Sequence, residues 1–406
     1  MTESAKQRFL RYVKVYTTSD EASGTSPSTE RQKDLGRLLE SELAALGLRD
    51  AHMDDCGNVI ATLPAAPGCE RAPTVALIAH VDTSPDAPGE GVSPRVVRYE
   101  GGELALGNGV SLTPALCRGL DSHVGEELIV TDGSTLLGAD DKAGVAEIMA
   151  AVETLCESGA AHGELRVVFT TDEEIGCGVD GLSVPQLACD YGYTVDGGPL
   201  GEIEFENFNA AGAVVTVHGV GVHPGDAKDV MVNAATVAME LHALLPADEV
   251  PEKTGGYEGF FHLHDMRGCV TEATLEYILR DHDRARFEQR KAQLLSAADT
   301  INARYGAGTA EVALRDSYYN MKEKIAPHMH LIERAERAFR ANGIAPRCVP
   351  IRGGTDGARL SWDGLPCPNL STGGYNYHSV REWIPAESLD AMARVLVTLV
   401  QGFAAD

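Results

Sequence analysis

Short, uninterrupted apolar segments alternate with helical ones in the first half of this chain. Residues 74–79 (TVALIA) and 166–170 (RVVFT) have the length of strands that are buried on both faces of a sheet. Residues 193–195 are a third candidate strand, and residues 144–155 have a helical pattern. Because alternating strands and helices form α/β folds, the sequence predicts an α/β core with a mostly parallel sheet. Residues 85–135, rich in Gly and Pro, predict a β-rich excursion from that core.

The pattern changes after Phe208, where alternating strand patterns and longer polar helices replace the continuous apolar segments. The strands and helices that we predict in this region lie at residues 213–217, 234–245, 274–280, 285–305 and 311–314. Such a mixture in units of this size is typical of a small α+β sandwich. The earlier pattern resumes near residue 321. We therefore predict a core formed by residues 1–208 and 321–406, with an inserted α+β domain at residues 209–320.

The charge balance and the cysteines exclude several classes of protein. The 406 residues include 34 Lys and Arg against 60 Asp and Glu, a net charge of −26. Because phosphate groups bind to basic surfaces, we expect neither a nucleic acid nor an anionic membrane as a partner. No apolar run of about 18 residues predicts a transmembrane helix, and the N-terminus lacks the pattern of a signal peptide. Nine scattered cysteines without a C-x-x-C pair predict free thiols and a cytoplasmic location.

Two histidines stand out from the other eleven by their position in the chain. His80 follows the first apolar segment directly, and His378 follows a Gly-rich turn near the C-terminus. Residues two apart on a strand face the same side, so Asp82 can orient the His80 ring while that ring binds a metal ion. A histidine in an ordinary strand-end turn also explains the H-x-D motif when the motif is taken alone.

Three acidic motifs lie at the ends of predicted strands or before a predicted helix. Asp140-Asp141 precedes a helix, where it fits either an N-cap or a carboxylate that bridges two cations. The three acids at residues 172–174 follow a buried strand, and their mutual repulsion is costly unless cations neutralise it. One Glu of that motif can bind a metal ion while its neighbour acts as a general base. Asp196 precedes two glycines, where an ordinary turn is the alternative.

Together these motifs supply two histidines and several carboxylates. Such mixed sites suit zinc, manganese or cobalt better than magnesium or copper. One carboxylate that bridges two ions, with a histidine and a further carboxylate for each ion, holds two metals about 3.5–4 Å apart, as in aminopeptidases and phosphatases. The sequence therefore predicts a two-metal site at the carboxyl edge of the parallel sheet.

Five motifs follow one another along the chain: H-V-D-T, L-L-G-A-D-D-K-A-G, T-T-D-E-E-I-G, V-D-G-G and G-G-Y-N-Y-H. In this order they resemble the peptidase T family of cytosolic tripeptide aminopeptidases, and the resemblance covers nearly the whole chain. That family belongs to the di-zinc exopeptidases, together with glutamate carboxypeptidase and succinyl-diaminopimelate desuccinylase. The resemblance implies a di-zinc catalytic domain, an inserted lid domain and release of the N-terminal residue from tripeptides.

The resemblance also implies a role for each motif residue. It implies five zinc ligands, which are His80 and Asp196 for one ion, Glu174 and His378 for the other, and Asp140 as a bridge between both. Asp82 would orient His80, and Glu173 would be the catalytic base. A cis peptide between Asp140 and Asp141 is a further implication. Two Zn²⁺ per chain are expected, with Mn²⁺ or Co²⁺ as substitutes.

Four more residues are candidates for binding a small peptide substrate. His223 and Asn233 lie in the inserted domain, as does Arg280 at the end of a predicted strand. Arg352 lies on a Gly-rich loop and suits a bidentate contact with a peptide carboxylate. A turn histidine before Pro and surface ion pairs are the alternatives for these residues. The resemblance leaves open a homodimer through the inserted domain.

Two other functions fit the same residues. Another hydrolase of the clan, such as a carboxypeptidase or an N-acyl amino-acid deacylase, would share the reaction centre. A non-catalytic metal- or peptide-binding protein needs no general base, so an intact Glu173 argues against it. The chain departs from the family pattern after His378, where it reads Ser379-Val380-Arg381-Glu382-Trp383 in place of a Gly followed by His-Glu-Phe.

Overall fold

The computed structural model describes residues 3–405, which form two compact units. The first unit contains the residues before Glu206, the segment Glu323–Val349 and the residues after Gly354. The second unit contains Glu206–Lys322 and the short segment Pro350–Gly354. The predicted inserted domain, residues 209–320, lies inside the second unit. None of the described helices is long and apolar enough to cross a lipid bilayer.

The first unit is built on a large mixed sheet that is parallel at its centre. The strands of the first unit are β1 (Arg49–Met53), β2 (Val59–Leu63), β3 (Val75–His80), β4 (Arg95–Arg98), β5 (Leu104–Gly107), β6 (Val110–Leu112), β7 (Glu127–Val130), β8 (Leu165–Thr170), β9 (Tyr191–Gly197), β10 (Glu202–Glu204), β15 (Arg347–Cys348), β16 (Asn369–Ser371) and β17 (Ile384–Pro385). Eight of them form the sheet in the order β1-β2-β8-β3-β9-β16-β10-β15. The pairs of β3 with β8 and with β9, and of β9 with β16, are parallel.

Helices and two small β structures complete the first unit. The helices are α1 (Ala5–Tyr12), α2 (Gln32–Ala45), α3 (Ala139–Ser158), α4 (Val184–Leu187), α7 (Lys322–Ile325), α8 (His330–Ala341), α9 (Asp356–Trp362) and α10 (Ala386–Ala404). The β-rich excursion predicted at residues 85–135 is confirmed, since β7 pairs with both β4 and β17, and β5 pairs with β6. Its apolar residues cluster around the buried ring of Trp383.

The predicted α/β fold class is confirmed by the central strands. All six residues of β3 are buried, as the continuous apolar segment predicts for a strand that is covered on both faces. The strand β3 is paired in register with β8, so that His80 lies opposite Thr170 at the ends of the two strands. The carboxyl ends of these parallel strands therefore meet at one edge of the sheet, where the acidic motifs also lie.

The second unit is an antiparallel sheet with an apolar core. Its strands are β11 (Asn209–His218), β12 (Phe260–Gly268), β13 (Glu272–Asp281) and β14 (Ala310–Tyr318), in the order β12-β13-β11-β14, and its helices are α5 (Ala234–His242) and α6 (Arg284–Tyr305). Every second residue of β13 is buried, and residues of both helices join the same apolar cluster. The sequence missed β12, because this edge strand carries His262 and His264 and has an irregular register between Leu263 and Asp265.

Candidate metal centre

The ends of three neighbouring strands bring the acidic and histidine motifs together within the first unit. His80 is the last residue of β3, and Asp196 lies near the end of β9. Glu173 and Glu174 are in a short 3₁₀ turn that follows β8. Asp140 is in the first turn of α3, a helix that contacts both β3 and β9. The topology thus gathers side chains that are far apart in the sequence.

Asp140 lies between the two histidines. Its Oδ1 is 3.0 Å from Nε2 of His80, and its Oδ2 is 3.2 Å from Nε2 of His378. Asp196 Oδ1 lies 3.5 Å from the same nitrogen of His80. Glu174 Oε2 lies 2.8 Å from Nε2 of His378. Each histidine therefore faces one oxygen of Asp140 and one further carboxylate.

These separations fit a metal-binding site. With bonds of about 2.0–2.2 Å from zinc to nitrogen and oxygen, the donor atoms of a tetrahedral site lie roughly 3.3–3.6 Å apart. The four measured separations, from 2.8 to 3.5 Å, are close to that value. Two groups of three residues have the spacing to hold an ion: His80, Asp140 and Glu174, and His80, Glu173 and Asp196. Glu174 Oε1 is buried and has no hydrogen-bond partner among residues 3–405.

The electrostatics of the cluster favour bound cations. Burial and the neighbouring charge of Asp140 together raise the pKa of Glu174 to about 8. Burial also raises the pKa of Asp196 to about 6. Burial opposes the charged form of His378, yet Asp140 and Glu174 raise its pKa to about 11. Such a cluster holds protons at neutral pH that a metal ion would displace on binding.

Asp82 supports both His80 and the acidic turn. The Asp82 side chain is fully buried, and its Oδ1 lies 3.2 Å from Nδ1 of His80. The same carboxylate accepts hydrogen bonds from the backbone N–H groups of Glu173 (3.1 Å) and Glu174 (3.2 Å). One side chain therefore fixes the imidazole ring and the turn that carries the two glutamates. This is the arrangement that a partner of a metal-binding histidine requires.

The segment that carries Asp140 is fixed by two further acids. The peptide between Asp140 and Asp141 is cis. Asp141 accepts hydrogen bonds from the backbone N–H groups of His80 and Gly144. Glu382 accepts three more, from the N–H groups of Leu137, Gly138 and Asp140, at 2.7, 2.8 and 3.1 Å respectively. The position of Asp140 thus depends on buried carboxylates that do not face the histidine nitrogens.

The geometry can be compared with known proteins. The chain is 48% identical over 400 residues to the peptidase T of Alkaliphilus oremlandii, a match that covers 97% of this chain and 98% of the relative. The chain belongs to the peptidase T family. Residues 205–306 match a family model described as a peptidase dimerisation domain. The family and the enzyme class that the sequence predicted, a tripeptide aminopeptidase, are therefore confirmed.

Solved structures agree with this assignment. The aminopeptidase PepT of Bacillus cereus has a TM-score of 0.79 at 25% identity, over 100% of this chain and 99% of that one. A dinuclear metal-binding peptidase of the M20 family from Bacillus subtilis has a TM-score of 0.65 at 14% identity, over 98% of each chain, and shows the same fold. The acidic cluster at the sheet edge is a candidate metal centre on the spacing of its own imidazole and carboxylate donors.

The four residues predicted to bind substrate lie in the second unit. His223 is exposed, and its Nδ1 accepts a hydrogen bond from the N–H of Gly225. Asn233 is the N-cap of α5, where its side chain accepts from two backbone N–H groups. Arg280 donates from Nη1 to the carbonyl of Arg352, and its Nε is buried without a hydrogen-bond partner in the part of the chain that the structure describes.

Arg352 is engaged within the second unit. Its Nη1 donates to the carbonyls of Gly256 (2.7 Å) and Glu258 (3.0 Å), and its Nη2 contacts Thr254. The guanidinium also stacks on the ring of Phe208, with 5.0 Å to the ring centre. These contacts attach the segment Pro350–Gly354 to the second unit, although the sequence placed Arg352 in the core region. The guanidinium donors that face these carbonyls are occupied.

Sequence analysis missed three acids of the candidate centre. Asp141 is adjacent to Asp140 in the sequence, and Glu382 lies in the segment after His378 where the chain departs from the family pattern. Glu382 lies outside the five motifs, and no local pattern relates it to Asp140. Asp86 was not singled out, and its Oδ2 lies 3.2 Å from Nδ1 of His378.

Proposed function

We propose that this chain is a di-zinc aminopeptidase that removes the N-terminal residue from tripeptides. The observation that carries the proposal is the position of Asp140, whose two carboxylate oxygens face the Nε2 atoms of two different histidines. A carboxylate in this position can bridge two metal ions, each with a histidine of its own. The mixture of imidazole and carboxylate donors suits zinc, with manganese or cobalt as substitutes.

The ligands divide into two sets that share Asp140. His80 and Asp196 complete one set, and His378 and Glu174 complete the other, on the distances between their donor atoms. When bound, the two ions would polarise the scissile carbonyl and lower the pKa of the attacking water. The histidines would hold the ions through Nε2, since each Nδ1 faces a carboxylate outside the cluster.

Glu173 is the proposed general base. Its carboxylate lies close to His80 and Asp196, and its backbone N–H is fixed by Asp82. Burial raises the pKa of Glu173 well above its usual value, and the charge of Asp196 adds to the effect. A carboxylate with a raised pKa is suited to take a proton from the attacking water and to deliver it to the leaving amine. The ligand role falls to its neighbour Glu174.

We assign the substrate carboxylate to Arg280 in preference to Arg352. Arg280 has a buried Nε without a hydrogen-bond partner in residues 3–405, whereas Arg352 donates to several carbonyls of its own unit. A peptide carboxylate would satisfy this unpaired Nε in a charge-assisted contact. His223 and Asn233 remain proposed contacts for the peptide.

Replacing Arg280 tests this part of the proposal. Arg280→Ala is expected to weaken cleavage of free-acid tripeptides by about 2–5 kcal/mol, while amidated tripeptides lose much less. The matched control is Arg352→Ala, which we expect to lower the thermal stability of the protein because several carbonyls lose their donor. An unchanged ratio of free-acid to amidated cleavage in Arg280→Ala would move the carboxylate contact to another residue.

A substrate panel separates the proposed activity from the other hydrolases of the clan. The zinc-loaded protein should cleave tripeptides with a free amino terminus and release their first residue. An N-acetylated tripeptide should be a poor substrate of an aminopeptidase, but a good one for a deacylase. Release of the C-terminal residue, followed by mass spectrometry, would instead identify a carboxypeptidase. Metal chelation should abolish cleavage. Cleavage at the full rate in the presence of chelator would contradict a metallopeptidase.

We also propose a homodimer through the second unit, in the cytoplasm. The proposal is supported by the match of residues 205–306 to a peptidase dimerisation domain. The nine cysteines, all within the described range, are free thiols, which suits a reducing compartment. Analytical ultracentrifugation tests the oligomeric state, and a single species of 43.1 kDa at micromolar concentration would contradict the dimer.

A further inference from the structure

Asp86 contacts the ring nitrogen of His378 that points away from the metal centre. Nδ1 of His378 lies 3.2 Å from Oδ2 of Asp86, while Nε2 faces Asp140 and Glu174. The two residues are 292 positions apart in the sequence. We propose that Asp86 is a positioning residue that fixes the orientation and the tautomer of His378. The inference rests on the proposed role of His378 as a metal ligand.

The chemistry of imidazole explains why the contact matters. A neutral imidazole has one N–H and one lone pair, and only the nitrogen with the lone pair can bind a metal. A carboxylate that accepts the Nδ1–H of His378 places the lone pair on Nε2, on the side of Asp140. It also makes that nitrogen more basic and restricts rotation of the ring. A histidine without such a partner would divide its population between two tautomers.

The same arrangement occurs at the other histidine. Nδ1 of His80 hydrogen-bonds to the backbone carbonyl of Asp82 at 3.1 Å. It also lies 3.2 Å from Asp82 Oδ1, the same separation as between Asp86 and His378. Asp82 and Asp86 belong to one loop that follows β3. A single loop therefore provides the carboxylate for both histidines, although His80 and His378 come from opposite ends of the chain. The structure assigns to Asp86 the position at His378 that Asp82 has at His80.

The backbone around Asp86 is well anchored although its side chain is 68% exposed. The N–H of Asp86 donates to Oγ of the buried Ser84. The carbonyl of Pro88 accepts a hydrogen bond of 2.9 Å from the N–H of Leu136. Gly89 packs so closely on Thr18 and Thr83 that a side chain would not fit there. Fixed points on both sides of Asp86 hold its backbone at a defined place, within reach of His378.

His378 needs such a support more than His80 does. Its side chain is 41% exposed, and its φ of 58° lies in the left-handed region that non-glycine residues rarely adopt. The preceding Tyr377 is fixed by hydrogen bonds from its hydroxyl group to the carbonyl of Gly197 and to Thr372. The backbone of His378 is thus held, but the ring has few packing contacts. The contact with Asp86 supplies the orientation that packing does not.

An ordinary surface ion pair is the simpler explanation of the contact, and it makes different predictions. Exposed ion pairs contribute about 0–1 kcal/mol to stability, and their loss changes no ligand site. Loss of a carboxylate that orients a metal-binding histidine typically lowers metal affinity or activity by about 10–100-fold. Metal affinity at each of the two sites therefore separates the two explanations.

The experiment compares four variants by calorimetric titration of the metal-stripped protein with Zn²⁺. Asp86→Ala is expected to lower the affinity for one of the two ions by about 10–100-fold and to leave the affinity for the other unchanged. Asp86→Asn retains an oxygen that can accept the Nδ1–H, so it should lose clearly less affinity than Asp86→Ala. The control is Glu90→Gln, which removes an equal charge from an exposed position in the same loop. The melting temperature of the metal-stripped protein should be unchanged in these three variants.

The fourth variant, His378→Ala, separates failure of this inference from failure of the proposed function. If His378→Ala loses one ion while Asp86→Ala keeps both with normal affinity, the role of Asp86 is refuted and the ligand remains. If His378→Ala itself keeps both ions, the ligand assignment is wrong. Equal losses in Asp86→Ala and Asp86→Asn, or in Asp86→Ala and Glu90→Gln, would show an effect of charge and would contradict a positioning role.

Discussion

The two histidines of the candidate centre are held in opposite ways. His80 is 2% exposed, ends a buried strand and faces the fully buried Asp82. His378 is 41% exposed, lies on a loop and faces the exposed Asp86. One half of the centre is therefore part of the folded core, while the other half depends on local contacts. The difference indicates that changes near His80 affect stability and function together, whereas changes near His378 affect mainly function.

Replacing each of the two neighbouring glutamates by alanine gives the largest expected difference between the two halves of the centre. Glu173→Ala should keep both ions and lose about 10²–10⁴-fold in kcat, because it removes the base and no ligand. Glu174→Ala should lose the ion on the His378 side, since its Oε2 faces that histidine. Elemental analysis together with tripeptide turnover distinguishes the two. Loss of metal in Glu173→Ala would reverse the assignment of the pair.

Removing each histidine in turn compares the stability of the two halves directly. His80→Ala should lower the free energy of unfolding in chelator by about 1–3 kcal/mol, because the buried Asp82 loses its partner. His378→Ala should lower it by less, because the ring is 41% exposed and water screens its ion pairs. Urea denaturation of both variants measures the difference. Equal losses of stability would show that the two halves are not distinct.

The pH dependence of stability in chelator sharpens the comparison further. A raised pKa means that the folded state holds a proton that the unfolded state has already released, so stability falls as pH rises. This applies to Glu174, with a pKa of about 8, and to His378, with a pKa of about 11. In chelator, the melting temperature of the protein should therefore fall as the pH is raised from about 5 to about 9. Excess Zn²⁺ should remove most of that fall; a slope that Zn²⁺ leaves unchanged would contradict this prediction.

The sequence predicted the His80 half of the centre better than its surroundings. His80, Asp196 and the acidic turn lie at the ends of apolar segments, and parallel strands place such ends at one edge. Local patterns are therefore sufficient to bring these residues together. The partners of His378 and Asp140 follow from tertiary contacts instead, because Asp86 and Glu382 carry no pattern that relates them to residues far away in the chain.

The second unit shows the same limit. The alternating residues of β13 predicted that strand, while the edge strand β12 escaped because its polar residues and its bulge hide the alternation. The sequence predicts Arg352, on a Gly-rich loop, as a contact for the peptide carboxylate, yet its guanidinium donates to backbone carbonyls. The sequence shows the charge of an arginine but not which groups accept its hydrogen bonds. The choice between Arg280 and Arg352 thus required the fold.

The zinc content of Asp140→Ala tests the central claim most directly. In the proposed centre one carboxylate serves both ions, because its two oxygens face different histidines. Elemental analysis after dialysis should find two zinc ions per chain in the unchanged protein and neither ion in the variant. His378→Ala is the comparison, since it should lose a single ion. Two zinc ions retained in Asp140→Ala would contradict the shared ligand and with it the proposed di-zinc centre.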